Sequence, residues 1–308
     1  MHFKIATYFC VFILCIVSIE KNYGQKDKYI SQSGLISRWD FRIDKEGNVY
    51  TLSEINPIDS FWVNNLPLNL IKEGKNDPGS YASLILSKFS EDKTLQRHCQ
   101  IFGKLSSRSF DINENGNSFI ALSSNSDTLV FNDSVIVNSK FTFNLILLKI
   151  GRNFNLEKVL LVENGGLYYT DIKVSNHSLY LGSGYCDTMR IINESLICPK
   201  RTPHTNGYFV CCLSINLDSI IYLKDFEGFG YNSVYDLSLD DKENINFCGR
   251  SNARKLIISG VDIDMPEINR PWFFIGSLSK SGKLNWIYKT SSDFLIHFAP
   301  FHMIIQVN

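Results

Sequence analysis

Two short segments of the chain place oxygen-bearing side chains at alternate positions, the arrangement by which a turn could hold a hard cation. They are Asp44-Lys-Glu-Gly-Asn48 and Asn113-Glu-Asn-Gly-Asn117, and Asp44, Glu46, Asn48, Asn113, Asn115 and Asn117 are the candidate calcium ligands. Both lack the length and the terminal bidentate glutamate of an EF-hand loop. Tight hairpins need the same residue types, because Asn, Asp and Gly accept positive φ and hydrogen-bond their own backbone. A metal-free turn, in a chain with no cofactor, is therefore the leading reading. Asp111, Asp171 and Asp236 precede the same kind of turn in three segments. A carboxylate that recurs in this way reads as a backbone pin, since a single active site has no use for three copies.

Sulfur and imidazole chemistry is sparse. Beyond an apolar leader the cysteines are Cys99, Cys186, Cys198, Cys211, Cys212 and Cys248, with no Cys-x-x-Cys pair. In an oxidising compartment they allow many pairings. Cys186 with Cys198 is the candidate disulfide, pinning a long loop; buried free thiols serving as small apolar residues are the reading favoured overall. Cys211 and Cys212 are neighbours on an expected strand, so they point to opposite faces and do not bond each other. The histidines are scattered; zinc would need the fold to gather them, for example His98 beside Cys99, and ordinary turn and strand residues are the leading reading. The sequence holds no HExxH, GxSxG, Walker or GxGxxG motif, and no catalytic residue is assigned.

The elements that would position these groups are strands. Aromatic and β-branched residues are abundant and no long Ala/Leu/Glu-rich stretch occurs, which predicts an all-β chain. Four segments share a strand, an Asp/Asn/Glu/Gly turn and a second strand: Phe41–Tyr50, Phe110–Phe119, Asp171–Tyr180 and Asp236–Phe247. Aligned on Asn48, Asn117, Ser178 and Asn244, they recur after 69, 61 and 66 residues. Each continues through a variable stretch to an apolar strand (Ala82–Phe89, Phe143–Ile150, Tyr208–Ile215, Trp272–Leu278), a polar turn and a last strand. Continuous apolar runs imply strands buried on both faces.

Asp44 to Tyr50, Asn113 to Phe119, and Trp272 through Gly282 to Trp286 resemble the SBBP-type β-propeller repeats of bacterial secreted and surface proteins, over roughly residues 36–290. The third copy departs from that pattern with Asn176-His177-Ser178, and the fourth with Glu243-Asn244. The resemblance implies a propeller-like array of about four four-stranded blades, at residues 36–105, 106–166, 167–230 and 231–290 within 26–290, and no particular activity. Gly34–Trp39 looks like a closing strand, and 291–308 is a non-matching tail or partial blade. Whether the ring closes or is incomplete stays open. In a bacterial protein the sequons at Asn132, Asn176 and Asn193 are coincidental.

Residues 1–25 read as a signal peptide: Lys4, an apolar run from Ile5 to Ile19, then Glu20, Lys21 and Asn22. The run is shorter than the roughly 18–20 residues of a spanning helix. The expected location is secreted, periplasmic or cell-surface, with no membrane span after cleavage. Basic and acidic residues number 31 each, and without a basic stripe a nucleic-acid partner is disfavoured. The expected function is a monomeric, non-enzymatic interaction or scaffold module. It would bind protein or glycan through the variable stretches Asn56–Gly79 and Met189–Gly207. The alternatives are a carbohydrate-active enzyme with carboxylates in a central channel, and a truncated, non-functional fragment of a larger surface propeller.

Overall fold

The computed structural model describes residues 39–55, 61–63, 66–68, 82–132, 134–138, 144–197, 207–228, 232–252, 255–264 and 272–290. The expected signal peptide, residues 34–38, the tail at 291–308 and Cys198 lie outside them. All regular elements among the described residues are strands, and every pairing is antiparallel. No helix of these residues is long and apolar enough to cross a membrane.

Four successive four-strand runs account for most of the pairing. Run 1 joins β1 (Trp39–Ile43), β2 (Val49–Ile55), β5 (Ala82–Phe89) and the first half of β6 (Leu95–Ile112), with β3 (Phe61–Val63) and β4 (Leu66–Leu68) between β2 and β5. Run 2 takes the second half of β6, then β7 (Ser118–Phe131), β9 (Asn144–Ile150) and the first half of β10 (Leu156–Val174), with β8 (Ser134–Asn138) after β7. Run 3 takes the second half of β10, then β11 (Ser178–Ile191), β13 (Gly207–Ser214) and β14 (Ile220–Gly228), with β12 (Glu194–Ile197) after β11. Run 4 is β15 (Asn232–Leu239), β16 (Ile245–Ser251), β19 (Trp272–Leu278) and β20 (Leu284–Thr290), with β17 (Lys255–Ile258) and β18 (Val261–Asp264) inserted. Instead of separate four-stranded sheets, β6 and β10 serve two runs each, merging the first three into one 14-stranded sheet that also includes β17 and β18. Trp39 belongs to β1, opposite Ser53, in the first strand of run 1.

Three apolar cores lie between consecutive runs, because alternate residues of one strand point to opposite faces. In β9, Ile146, Leu148 and Ile150 join Tyr50, Leu84 and Leu86 of run 1, while Leu145 and Leu147 join Leu179, Phe209 and Cys211 of run 3. In β13, Tyr208, Val210 and Cys212 face the other way, onto Val234, Leu237, Phe247 and Phe274 of run 4. The continuous apolar stretches in the sequence are therefore strands with two buried faces. Cys211 and Cys212 sit in different cores, and with Cys99 and Cys248 they are free thiols.

Within a run the strands are joined by short hairpins with a repeated hydrogen-bond pattern. The Asp44 N–H donates to the Asn48 carbonyl and the Gly47 N–H to the Asp44 carbonyl; Asn113/Gly116 and Asp240/Glu243 do the same. The turn residue then has positive φ, 79° at Gly47, 76° at Gly116 and 59° at Glu243. Phe154 and Leu217 hold the equivalent conformation at the later turns of runs 2 and 3, uncommon for such side chains. Both are buried, and Phe154 stacks on Tyr50 with ring centroids 6.3 Å apart.

A second, two-residue hairpin follows the second strand of every run. In runs 2 to 4 its first strand pairs with the last strand of the preceding run: Leu129–Phe131 with Gly103–Ile101, Arg190–Ile191 with Glu163–Val162, and Leu256–Ile258 with Gly228–Phe226. The stretch from Met189, expected as a variable loop, thus begins as strand with Met189 and Ile191 fully buried. Their apolar side chains are what draw it out of the loop class.

Candidate functional site

The first strands of the four runs end at equivalent turn residues, Asp44, Asn113, Ser175 and Asp240. Two positions before each turn stand Arg42, Asp111, Lys173 and Ser238; four before stand Asp40, Ser109, Asp171 and Asp236. Even offsets on a strand share a face, so the sequence confines its charges to one side of four neighbouring strands.

There they form a ladder crossing from run to run. Arg42 Nη1 contacts Asp40 at 2.7 Å and its Nε donates to Asp111 Oδ1 at 2.9 Å, with the guanidinium 5.7 Å from the Phe110 ring centroid. Asp111 Oδ2 accepts the Val174 N–H of run 3 at 2.8 Å. Asp171 Oδ1 accepts the Ser109 hydroxyl of run 2 at 2.5 Å, and its Oδ2 accepts the Leu237 N–H of run 4 at 2.8 Å. Lys173 Nζ lies 3.3 Å from Asp171 and 3.8 Å from Asp236. Asp171 and Asp236, from successive runs, thus approach one ammonium.

Burial and charge compete at each group. Desolvation dominates at Asp111 and raises its carboxyl above the usual range despite Arg42 and Lys173. At Asp171 desolvation acts in the same direction, but the Lys173 charge and hydrogen bonds from Ser109, Asp236 and Leu237 outweigh it, and the carboxyl is held low. Burial would depress Lys173, yet Asp171, Asp236 and Asp111 together raise it. Asp111 and Asp171 thus do connect backbones of successive runs, whereas Asp236 accepts the N–H of its own neighbour Leu237 and contacts Lys173; nor do the three share one register, since Asp111 sits two residues nearer its turn. Arg42, Lys173 and Ser109 were missed by reading the acids alone; counting back from the turn picks them out.

The candidate calcium ligands are used internally. Asp44 Oδ1 accepts the N–H groups of Glu46 and Asn48 at 2.9 Å each, and the Asn48 amide bonds Asp44 Oδ2 at 2.9 Å. Burial opposes this, yet the hydrogen bonds from Asn48 and Glu46, with the charge of Lys88, hold Asp44 below the usual carboxylate range. Asn113 Oδ1 accepts from Asn115 and Asn117, whose own Oδ1 accepts the Arg152 N–H, and Arg152 reaches Glu46 at 3.3 Å. The two segments are therefore adjacent, bridged by an arginine. Among the described residues no group of three His, Cys, Asp or Glu side chains is placed to hold a metal. His98 lies on β6 beside buried Cys99, with its imidazole shifted toward neutrality by burial. Cys186 lies in β11, and the disulfide expected with Cys198 falls outside the described residues.

No family model matches the chain, and a search of curated proteins finds no match.

Proposed function

We propose that this chain is an exported scaffold of the β-propeller type, similar to SBBP repeat proteins, that binds protein or glycan without catalysis. The observation that carries the architecture is the handover at β6 and β10, where the last strand of one run becomes the first strand of the next and an apolar core fills each interval. Blades stacked around an axis are connected in this way, with their first strands side by side. The leader from Lys4 to Ile19 supports export.

The absence of catalysis in this reading is supported by the use made of the ladder. Asp111 and Asp171 direct one oxygen each to a backbone N–H of the following run and the other to a side chain of the preceding run. Recognition then falls to the segments around the second hairpins, the stretches that vary most between runs. A second reading, a carbohydrate-active enzyme, is favoured by the two acids Asp171 and Asp236 that both approach Lys173, at 3.3 and 3.8 Å.

The secreted chain applied to arrayed polysaccharides and surface proteins, with reducing-sugar release followed in parallel, separates the two. Saturable binding without turnover, kept in Asp171→Asn, is the expected result. Turnover lost in Asp171→Asn would replace the scaffold reading with the enzymatic one. Neither binding nor turnover would refute both.

A further inference from the structure

The three internal junctions share one design, and both halves of a fourth are present at opposite ends of the described fold. In each internal junction the first strand of the second hairpin pairs with the last strand of the preceding run. The hairpin loop has two residues, between Phe131 and Ser134, Ile191 and Glu194, and Ile258 and Val261. Positive φ at Asn132, Ile192, Ser259 and Gly260 gives these loops the twist that antiparallel strands require. Run 1 carries the same device: β3 and β4 pair Val63 with Leu66 across two residues, Asn64 and Asn65. Yet β3 and β4 form a two-stranded sheet of their own, joined to no other strand among the described residues.

The composition of this hairpin fixes which strand would pair. In runs 2 to 4 the first hairpin strand meets the preceding run and the second is outermost. In run 1 the outermost place belongs to β4, Leu66-Pro67-Leu68. Proline lacks the N–H that a central strand must donate, so it is tolerated at an outer edge. The inner place belongs to β3, Phe61-Trp62-Val63, three strong strand formers.

The receiving half is run 4. Its last strand, β20, pairs only with β19 among the described residues. Counted back from the positive-φ turn residues Lys93, Phe154, Leu217 and Gly282, Leu86, Leu147, Val210 and Ile275 are equivalent. The first three are buried against the following run, whereas Ile275 is half-buried. On its face lie Tyr288 and Trp286, opposite Ile275 and Ser277, 65% and 39% exposed. Runs 1 and 4 share neither strand pairing nor apolar core among the described residues.

We propose that β3 of one copy of this chain pairs along β20 of a second copy, so that chains join head to tail through the junction that already joins their runs. A heterologous contact of this kind closes into a ring when its rotation permits. Two copies give eight four-strand runs, within the range of about four to eight blades known for closed propellers. This inference stands apart from the ligand-binding reading and does not depend on it.

Sedimentation velocity of the secreted full chain between about 1 and 50 μM tests it, with Trp62→Pro to disable the hairpin and Tyr288→Lys to charge the receiving face. The expected result is a dimer for the unaltered chain, monomers for each variant alone, and a dimer when the variants are mixed, since one intact hairpin then meets one intact β20. A monomer for the unaltered chain throughout that range overturns the proposal, as does a dimer that survives both substitutions. Hydrogen exchange on the unaltered chain needs no variant. Amides of 61–68 and 284–290 should lose protection together on dilution, and exchange independent of concentration refutes the junction.

Discussion

Replacing Lys173 with methionine keeps most of the side-chain volume and removes the cation at the centre of the ladder. The ammonium lies 3.3 Å from Asp171 and 3.8 Å from Asp236, and all three side chains are less than one-fifth exposed. With an effective dielectric of about 20, those separations correspond to about 5 and about 4 kcal/mol of gross attraction. Desolvation of the ammonium offsets much of this, and breaking a buried pair leaves its partners uncompensated at a net cost of about 3–5 kcal/mol. The pH dependence separates charge from packing. In the unaltered protein Asp171 is held low, so its contribution is present above the unfolded carboxylate value of about 4 and is lost as pH falls through the lower folded value. Lys173 is raised, so its contribution is present below about 10.4 and lost as pH rises through its folded value. Neither changes between about pH 5 and 9. In Lys173→Met the carboxylates lose their cation and their folded values rise, so the variant regains stability as pH drops toward about 4. Urea unfolding followed by tryptophan fluorescence should show a deficit of about 3–5 kcal/mol at pH 7 that shrinks by at least half at pH 4.5. An equal deficit at both pH values would mean that the lysine stem, rather than its charge, matters; a deficit below about 1 kcal/mol would refute the ladder as a connection between runs.

Asp44→Ala removes the acceptor for two turn N–H groups and should cost about 1–2 kcal/mol, with Asp44→Asn recovering most of it in the same urea assay. Because Asp44 is held low, its stabilisation is present above about pH 4 and disappears as pH falls through its folded value. Millimolar calcium should leave the thermal midpoint unchanged, since the turn oxygens already accept hydrogen bonds; a rise would restore Asp44, Glu46 and Asn48 as ligands. Gly207→Ala would drive a Cβ into the ring of buried Tyr185, whose hydroxyl is bonded to Asp225, and should cost about 3 kcal/mol. Gly260→Ala, with open space around it and only a φ of 76° to oppose it, should cost about 1 kcal/mol. Iodoacetamide at pH 8 followed by peptide mapping should leave Cys99, Cys211 and Cys212 unmodified until the protein unfolds, because burial pushes Cys99 up to about 12, Cys211 well above its ordinary value and Cys212 up to about 11. Rapid labelling of Cys211 would contradict its place in the core.

Much of the local structure is written in short-range chemistry. The turns at Asp44–Asn48 and Asn113–Asn117 combine glycine at the positive-φ position with an Asp or Asn that bonds the backbone, so their residues specify their conformation without help from the rest of the fold. The stretch Asn144–Ile150 announces a strand with two buried faces for the same reason: no polar side is left for water. Phe154 and Leu217 are less legible, since neither favours positive φ and only burial holds them there. The hairpins within Asn56–Gly79 and Met189–Gly207 read as variable loops in the sequence because their separate strands are three or four residues long and carry no glycine-rich signal.

By itself the sequence determined strand, turn and alternation. These depend on residues a few positions apart, where steric preference and side-chain hydrogen bonds act locally. Only the tertiary structure decided that Arg42, Asp111, Asp171, Lys173 and Asp236, drawn from four segments, share one ladder, and that burial raises the Asp111 carboxyl while charge and hydrogen bonds hold Asp171 low. Coulomb energy and desolvation depend on separations and burial in space, which become defined once the runs have packed.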